Sequence, residues 1–102
     1  NVMEELENEF RLLIGAYYGV QMMDGYDLKV FVLKDIQEEQ KKFLREHPLP
    51  NFDIERESQI IQNGKLASKL QDALIVLNRI DASRELIHMI RTRLKEETKK
   101  DK

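Results

Sequence analysis

Apolar residues recur along this chain at spacings of three and four, interrupted where glycine, proline or short polar residues gather. Val2, Leu6, Phe10, Leu13, Ile14 and Tyr17 share one helical face, and Glu4, Glu5, Glu7 and Glu9 complement the positive end of the helix dipole. The pattern predicts a first helix over residues 3–23. Asp24-Gly25-Tyr26-Asp27 then supplies a left-handed stop at Gly25, an apolar residue after it, and an N-cap at Asp27 for the next helix. A hairpin over residues 16–33, with Val30-Phe31-Val32 as strand, is the competing reading. It would mix Gln21 with Leu28 and Val20 with Lys29 on opposing faces and leave neither face apolar, so two helices are favoured.

The second predicted helix covers residues 28–46 and buries Leu28, Phe31, Val32, Ile36 and Phe43. Pro48 and Pro50 push their predecessors out of helical geometry, which makes residues 47–52 an extended hinge. Asp53 is the N-cap expected for a third helix over residues 54–80, with Asn63-Gly64 as a point of interruption. Leu70, Ala73, Leu74, Leu77 and Ile80 form its strongest stripe, and the run Leu74-Ile75-Val76-Leu77 is expected to be the most buried part of the fold. Asp81-Ala82-Ser83 can break it from a last helix over residues 84–98 that carries Ile87, Ile90 and Leu94. The pattern equally allows one uninterrupted helix through residues 66–98, which keeps a seven-residue register with Arg84 and Arg91 in its gaps, and it leaves the two readings open. The tail, residues 97–102, is expected to fray. Each segment has one apolar side that only another segment can cover. The fold class is therefore all-α, an antiparallel up-down bundle of four or five helices in one domain spanning residues 1–102.

Composition changes this picture by exclusion. The 102 residues are 41% apolar and 35% charged, too apolar for a disordered chain. Without cysteine there is no disulfide, thiolate ligand or cysteine nucleophile. No apolar run approaches the roughly 20 residues that cross a bilayer, and the acidic start does not resemble a signal peptide. A soluble, cytoplasmic protein is the expectation. The net charge of −2 hides an asymmetry, because residues 1–51 carry six basic and ten acidic side chains and residues 52–102 carry eleven and nine. Only the C-terminal end can act as a basic patch.

Candidate chemistry is sparse. Glu85 and His88 have the spacing by which one helix offers two ligands to iron or manganese, yet they project away from the face defined by Ile87, Ile90 and Leu94. A solvated helix face is the plainer account, and neither a metal nor any other cofactor is expected. A helix-turn-helix reading fails because Leu74-Ile75-Val76-Leu77 offers almost nothing that reads a base edge. Arg84, Arg91, Arg93, Lys95, Lys99, Lys100 and Lys102 make the better nucleic-acid candidate. Glu85, Glu96, Glu97 and Asp101 are interspersed among them, and no aromatic residue follows Phe52. His47, His88, Ser58, Ser68 and Ser83 form no catalytic spacing, and Gly15, Gly19, Gly25 and Gly64 no phosphate loop. No catalytic residue is assigned.

Tyr17, Tyr18, Met22, Met23 and Tyr26 are a different signal, since tyrosine and methionine suit contact surfaces. Tyr17 lies on the buried stripe, and Tyr18 and Met22 fall four apart beside it, which would widen the apolar face beyond what one small bundle covers. The expected function is thus a non-enzymatic helical protein-interaction module, a regulator, adaptor or assembly factor. It would bind a protein partner or itself as a homodimer through Tyr18, Met22, Met23 and Tyr26, with Arg84, Arg91 and Arg93 pairing with the acidic first helix of a neighbour. The alternative is a nucleic-acid-associated accessory protein that works through its basic C-terminal helix.

Overall fold

The computed structural model describes residues 1–100, which form five helices: α1 (Val2–Gln21), α2 (Lys29–Glu46), α3 (Ile54–Gln62), α4 (Leu66–Arg79) and α5 (Arg84–Lys100). No strand occurs among the described residues, so residues 16–33 are two helices and not a hairpin.

Local chemistry accounts for most of the boundaries. The Asn1 side chain accepts a hydrogen bond from the Glu4 backbone N–H at 2.8 Å and so caps the start of α1. At the other end α1 has no basic residue in its last turn. Its final carbonyls are taken from outside, by Lys29 Nζ donating to the carbonyls of Gln21 at 3.0 Å and Met23 at 2.8 Å. Gly25 is left-handed as expected (φ 84°), but it lies in the loop beyond a turn already closed by the Met23 N–H on the Val20 carbonyl. Asp27 does not cap α2. That position is held by Leu28, whose side chain cannot accept a hydrogen bond. Asp53 caps α3 as anticipated, accepting from the Arg56 N–H at 3.1 Å. The expected third helix is divided at Asn63-Gly64-Lys65 into α3 and α4, and the buried Lys69 donates from Nζ to the Gln62 carbonyl at 2.8 Å, closing the end of α3. α4 ends with Asp81 in the left-handed region (φ 57°) and the Ala82 N–H on the Leu77 carbonyl, the six-to-one bond of a Schellman stop. The separation of the last two helices is therefore a built turn. α5 is helical through Lys100, where Lys100 pairs with Glu97 at 3.0 Å. Asp101 and Lys102, the rest of the expected tail, lie outside the described residues.

Contacts between elements give their order. Glu9 meets Arg79 near one end of the α1–α4 pair, and Gly19 meets Lys69 near the other, so these two helices are antiparallel. The Gln40 amide of α2 donates to the Leu13 carbonyl, and Lys29 reaches the end of α1, which makes α2 antiparallel to α1. α3 packs on α1, tied to it by Arg11 and Glu57 at 2.5 Å, and lines a cleft with α2, and α5 packs against α4. The result is an up-down bundle of five helices.

The core is centred on α1 and α4. Val20, Ile36, Leu70, Val76, Leu77, Leu86 and Ile90 are its largest fully buried side chains. Phe10 joins α2 and the hinge to this core, tilted against Phe43 with ring centres 5.9 Å apart and edge-on to Phe52 at 5.6 Å. Leu49, between the two prolines, is buried and anchors the hinge.

Two glycines one helical turn apart let α1 and α4 approach closely. A Cβ on Gly19 would strike the Lys69 backbone carbonyl, and one on Gly15 would strike the Asp72 carboxylate. The contact buries Asp72 enough to raise its pKa from 3.8 to about 6. The folded protein then holds this proton up to about pH 6, whereas an unfolded chain releases it near 3.8, so stability falls as pH rises between those values and is level above them. Water reaches part of the carboxylate, which limits the effect to about 1 kcal/mol. Asp72→Asn is expected to remove this part of the pH dependence and to stabilise the protein at neutral pH by that amount. Urea denaturation of both proteins from pH 4 to 8 checks it.

Candidate functional site

The corner between α1 and α2 combines buried anchors with an exposed apolar face. Met23 and Tyr26, expected at the contact surface, are turned into the core at 6% and 9% exposure, which corrects their assignment. They pin the turn against the bundle. Tyr18 is half-buried and edge-on to Tyr17, with ring centres 5.5 Å apart, in a cleft shared with Ile54 and Ser58 of α3. Of the four corner residues expected to meet a partner, only Met22 is open to solvent.

The sequence pattern missed the apolar residues that are open there. Leu28 and Phe31, assigned to the core, are 53% and 62% exposed, and Val30 beside them is exposed as well. For Phe31 the reason is rotational, since it lies about 100 degrees round α2 from the buried Val32 and further still from Ile36. Leu28 is on the same side as Val32, but it is the capping residue before the first turn and so lies beyond the end of the packed helix. The missing polar cap at Leu28 is the local sign of this surface, since a leucine there leaves helix-end donors without a side-chain acceptor.

The three arginines expected to act together are divided. Arg84 and Arg91 line a cleft of about 370 Å³ at the α4–α5 turn, floored by Leu77, Ala82 and Ile87 and edged by His88, Asn78 and Asp81. Arg93 lies on another side of α5, 4.0 Å from Glu97, in a groove shared with Met23 and Met89. Arg11, Arg79 and Arg93 all have acidic partners, whereas Arg84 and Arg91 have none among the described residues. Arg84 is also the first residue of α5, where the helix dipole disfavours a cation.

Glu85 and His88 are both exposed, and no three histidine or acidic side chains converge as a metal site requires among the described residues. His47, at the end of α2, packs tilted against Phe43, with ring centres 5.1 Å apart. No described helix is long and apolar enough to cross a membrane. No protein-family model matches the chain, and no curated protein or solved structure matches it.

Proposed function

We propose that this chain is a non-enzymatic helical interaction module, a regulator, adaptor or assembly factor that presents a helix face to a protein partner and associates with a second copy of itself. The observation that carries this reading is the open apolar face of Met22, Leu28 and Phe31 at the α1–α2 corner. Covering a leucine or phenylalanine side chain contributes about 1.5 to 3 kcal/mol. A short helix start with two such residues, held in place by the buried Met23 and Tyr26, is therefore suited to docking. The absence of a catalytic role is supported by the positions of the histidines, one at the end of α2 and one on the open face of α5, in different parts of the bundle.

Leu28→Glu/Phe31→Glu is the direct test, because neither side chain belongs to the core and the variant is expected to keep its helix content by circular dichroism. Capture from native extract is expected to recover a protein with the parent chain and not with the variant. Equal recovery by both overturns the role of the corner.

A second reading, a nucleic-acid-associated accessory protein, is favoured by Arg84 and Arg91, which have no acidic partner among the described residues, and by the exposed Lys95 and Lys99 on α5. Against it stand the exposed Glu85 and Glu96 on the same helix. It requires binding that falls steeply with salt and is lost in Arg91→Glu/Arg93→Glu.

A further inference from the structure

From the unpaired arginines at the α4–α5 turn we infer that this cleft receives the acidic opening turn of α1 from a second copy of the chain, in a closed two-fold dimer. The inference rests on the reading of the chain as a self-associating module and names the surface involved.

Both halves of the contact lie at one end of the bundle. Glu9 of α1 pairs with Arg79 of α4 at 2.9 Å, and the Arg84–Arg91 cleft begins just past that end of α4. The first turn of α1 lies on the outward side of Glu9, with Glu4 and Glu5 exposed; Glu4 has only the solvent-exposed terminal ammonium, at 3.6 Å, and Glu5 no cationic partner among the described residues. Beside them Val2 and Met3 are also open to solvent. The cleft offers the complement, two unpaired guanidiniums over a floor of Leu77, Ala82 and Ile87. Arg84 and Arg91 lie seven residues apart on one face of α5, two turns along the helix, so two carboxylates on adjacent residues can each approach one of them. Among the described residues Asp81, at the edge, carries the only negative charge lining the cleft, against the two arginines.

With cleft and turn on the same end, a two-fold axis sets each turn on the other copy's cleft. Two identical contacts then close the assembly without leaving an open chain. The α1–α2 corners, at the opposite end, remain free for partners. Each contact is formed by short segments, so the dimer falls below the roughly 800 Å² per partner of a standard stable interface and is weak and salt-sensitive.

Sedimentation equilibrium over a concentration series, at low and high salt, tests the assignment. The parent chain is expected to dimerise at low salt, and both Arg84→Glu/Arg91→Glu and Glu4→Arg/Glu5→Arg to weaken the dimer at least about tenfold. Mixing the two variants restores complementarity at both contacts and is expected to restore the dimer, as is joining all four substitutions in one chain. Circular dichroism verifies that each variant is folded. A dimer that survives both charge reversals, or a mixture that stays monomeric, overturns the inference. If the dimer survives these changes and is lost in Leu28→Glu/Phe31→Glu, self-association stands and only its location moves to the corner. A parent chain that remains monomeric throughout overturns both.

Discussion

Gly19→Leu is expected to abolish stable folding, and Gly19→Ala to destabilise by about 1 to 2 kcal/mol. A Cβ at this position meets the Lys69 backbone carbonyl and comes within 3.1 Å of the Ala73 Cβ. Neither atom is the free end of a side chain, so α1 and α4 must move apart to admit a methyl group. Overpacking of this kind costs about 1 to 3 kcal/mol, and the better helix propensity of alanine returns up to about 1 kcal/mol. A leucine adds three further carbons to the same gap, with a loss that approaches the roughly 5 kcal/mol at the lower end of domain stability. Gly15 provides the control. Its neighbour is the Asp72 carboxylate, the mobile end of a side chain, so Gly15→Ala is expected to lie within about 1 kcal/mol of the parent. Urea midpoints followed by circular dichroism separate the two positions, and equal losses at both would show that the Lys69 backbone contact does not set Gly19 apart from Gly15.

How much of this was legible in the sequence depends on the distance over which the relevant physics acts. Helix positions follow from periodicity within a dozen residues, and α1, α2 and α5 lie close to where the spacing puts them. Asp53 as a cap and the proline hinge are equally local. The α1–α4 contact is not local. Gly15 and Gly19 could be searched for a phosphate loop and found wanting, but nothing in their neighbourhood named Asp72 and Lys69 as the residues they admit. A glycine pair four apart on an otherwise apolar stripe was the available signal for a close helix crossing. The consequence at Asp72, a carboxylate whose pKa is raised to about 6, was out of reach for the same reason.

An exposed apolar face does lie at the corner to which the sequence pointed, but different residues form it. Tyrosine and methionine content pointed to the α1–α2 corner. The burial of Met23 and Tyr26 depends on how the turn before α2 folds back onto the core, and the exposure of Phe31 on how α2 is rotated about its axis. That rotation is fixed by Val32 and Ile36, the buried residues of α2, a tertiary choice among apolar positions that the sequence presents as equivalent. On α5 the arginines share a helix but not a face, and only the fold shows that Arg93 has Glu97 while Arg84 and Arg91 have no acidic partner among the described residues.

The same distinction predicts opposite outcomes within the run Leu74-Ile75-Val76-Leu77. Its uniform apolar character marked it as the most buried part of the chain, yet Ile75 is 45% exposed while Leu77 is completely buried. Leu77 sits where α4 faces α1 and α5, and its carbonyl also accepts the Ala82 N–H that closes the turn. Leu77→Ala removes a side chain from that junction and leaves a cavity that rigid helices on both sides cannot collapse, for an expected loss of about 2 to 5 kcal/mol. Ile75 projects to the outer side of the same helix turn. Ile75→Ala is expected to cost less than about 1 kcal/mol, because the exposed side chain has little burial to lose and alanine favours the helix. Parallel urea denaturation of the two variants, at one pH and salt, gives the comparison. Similar losses at both positions would mean that the outer face of α4 is also covered in solution.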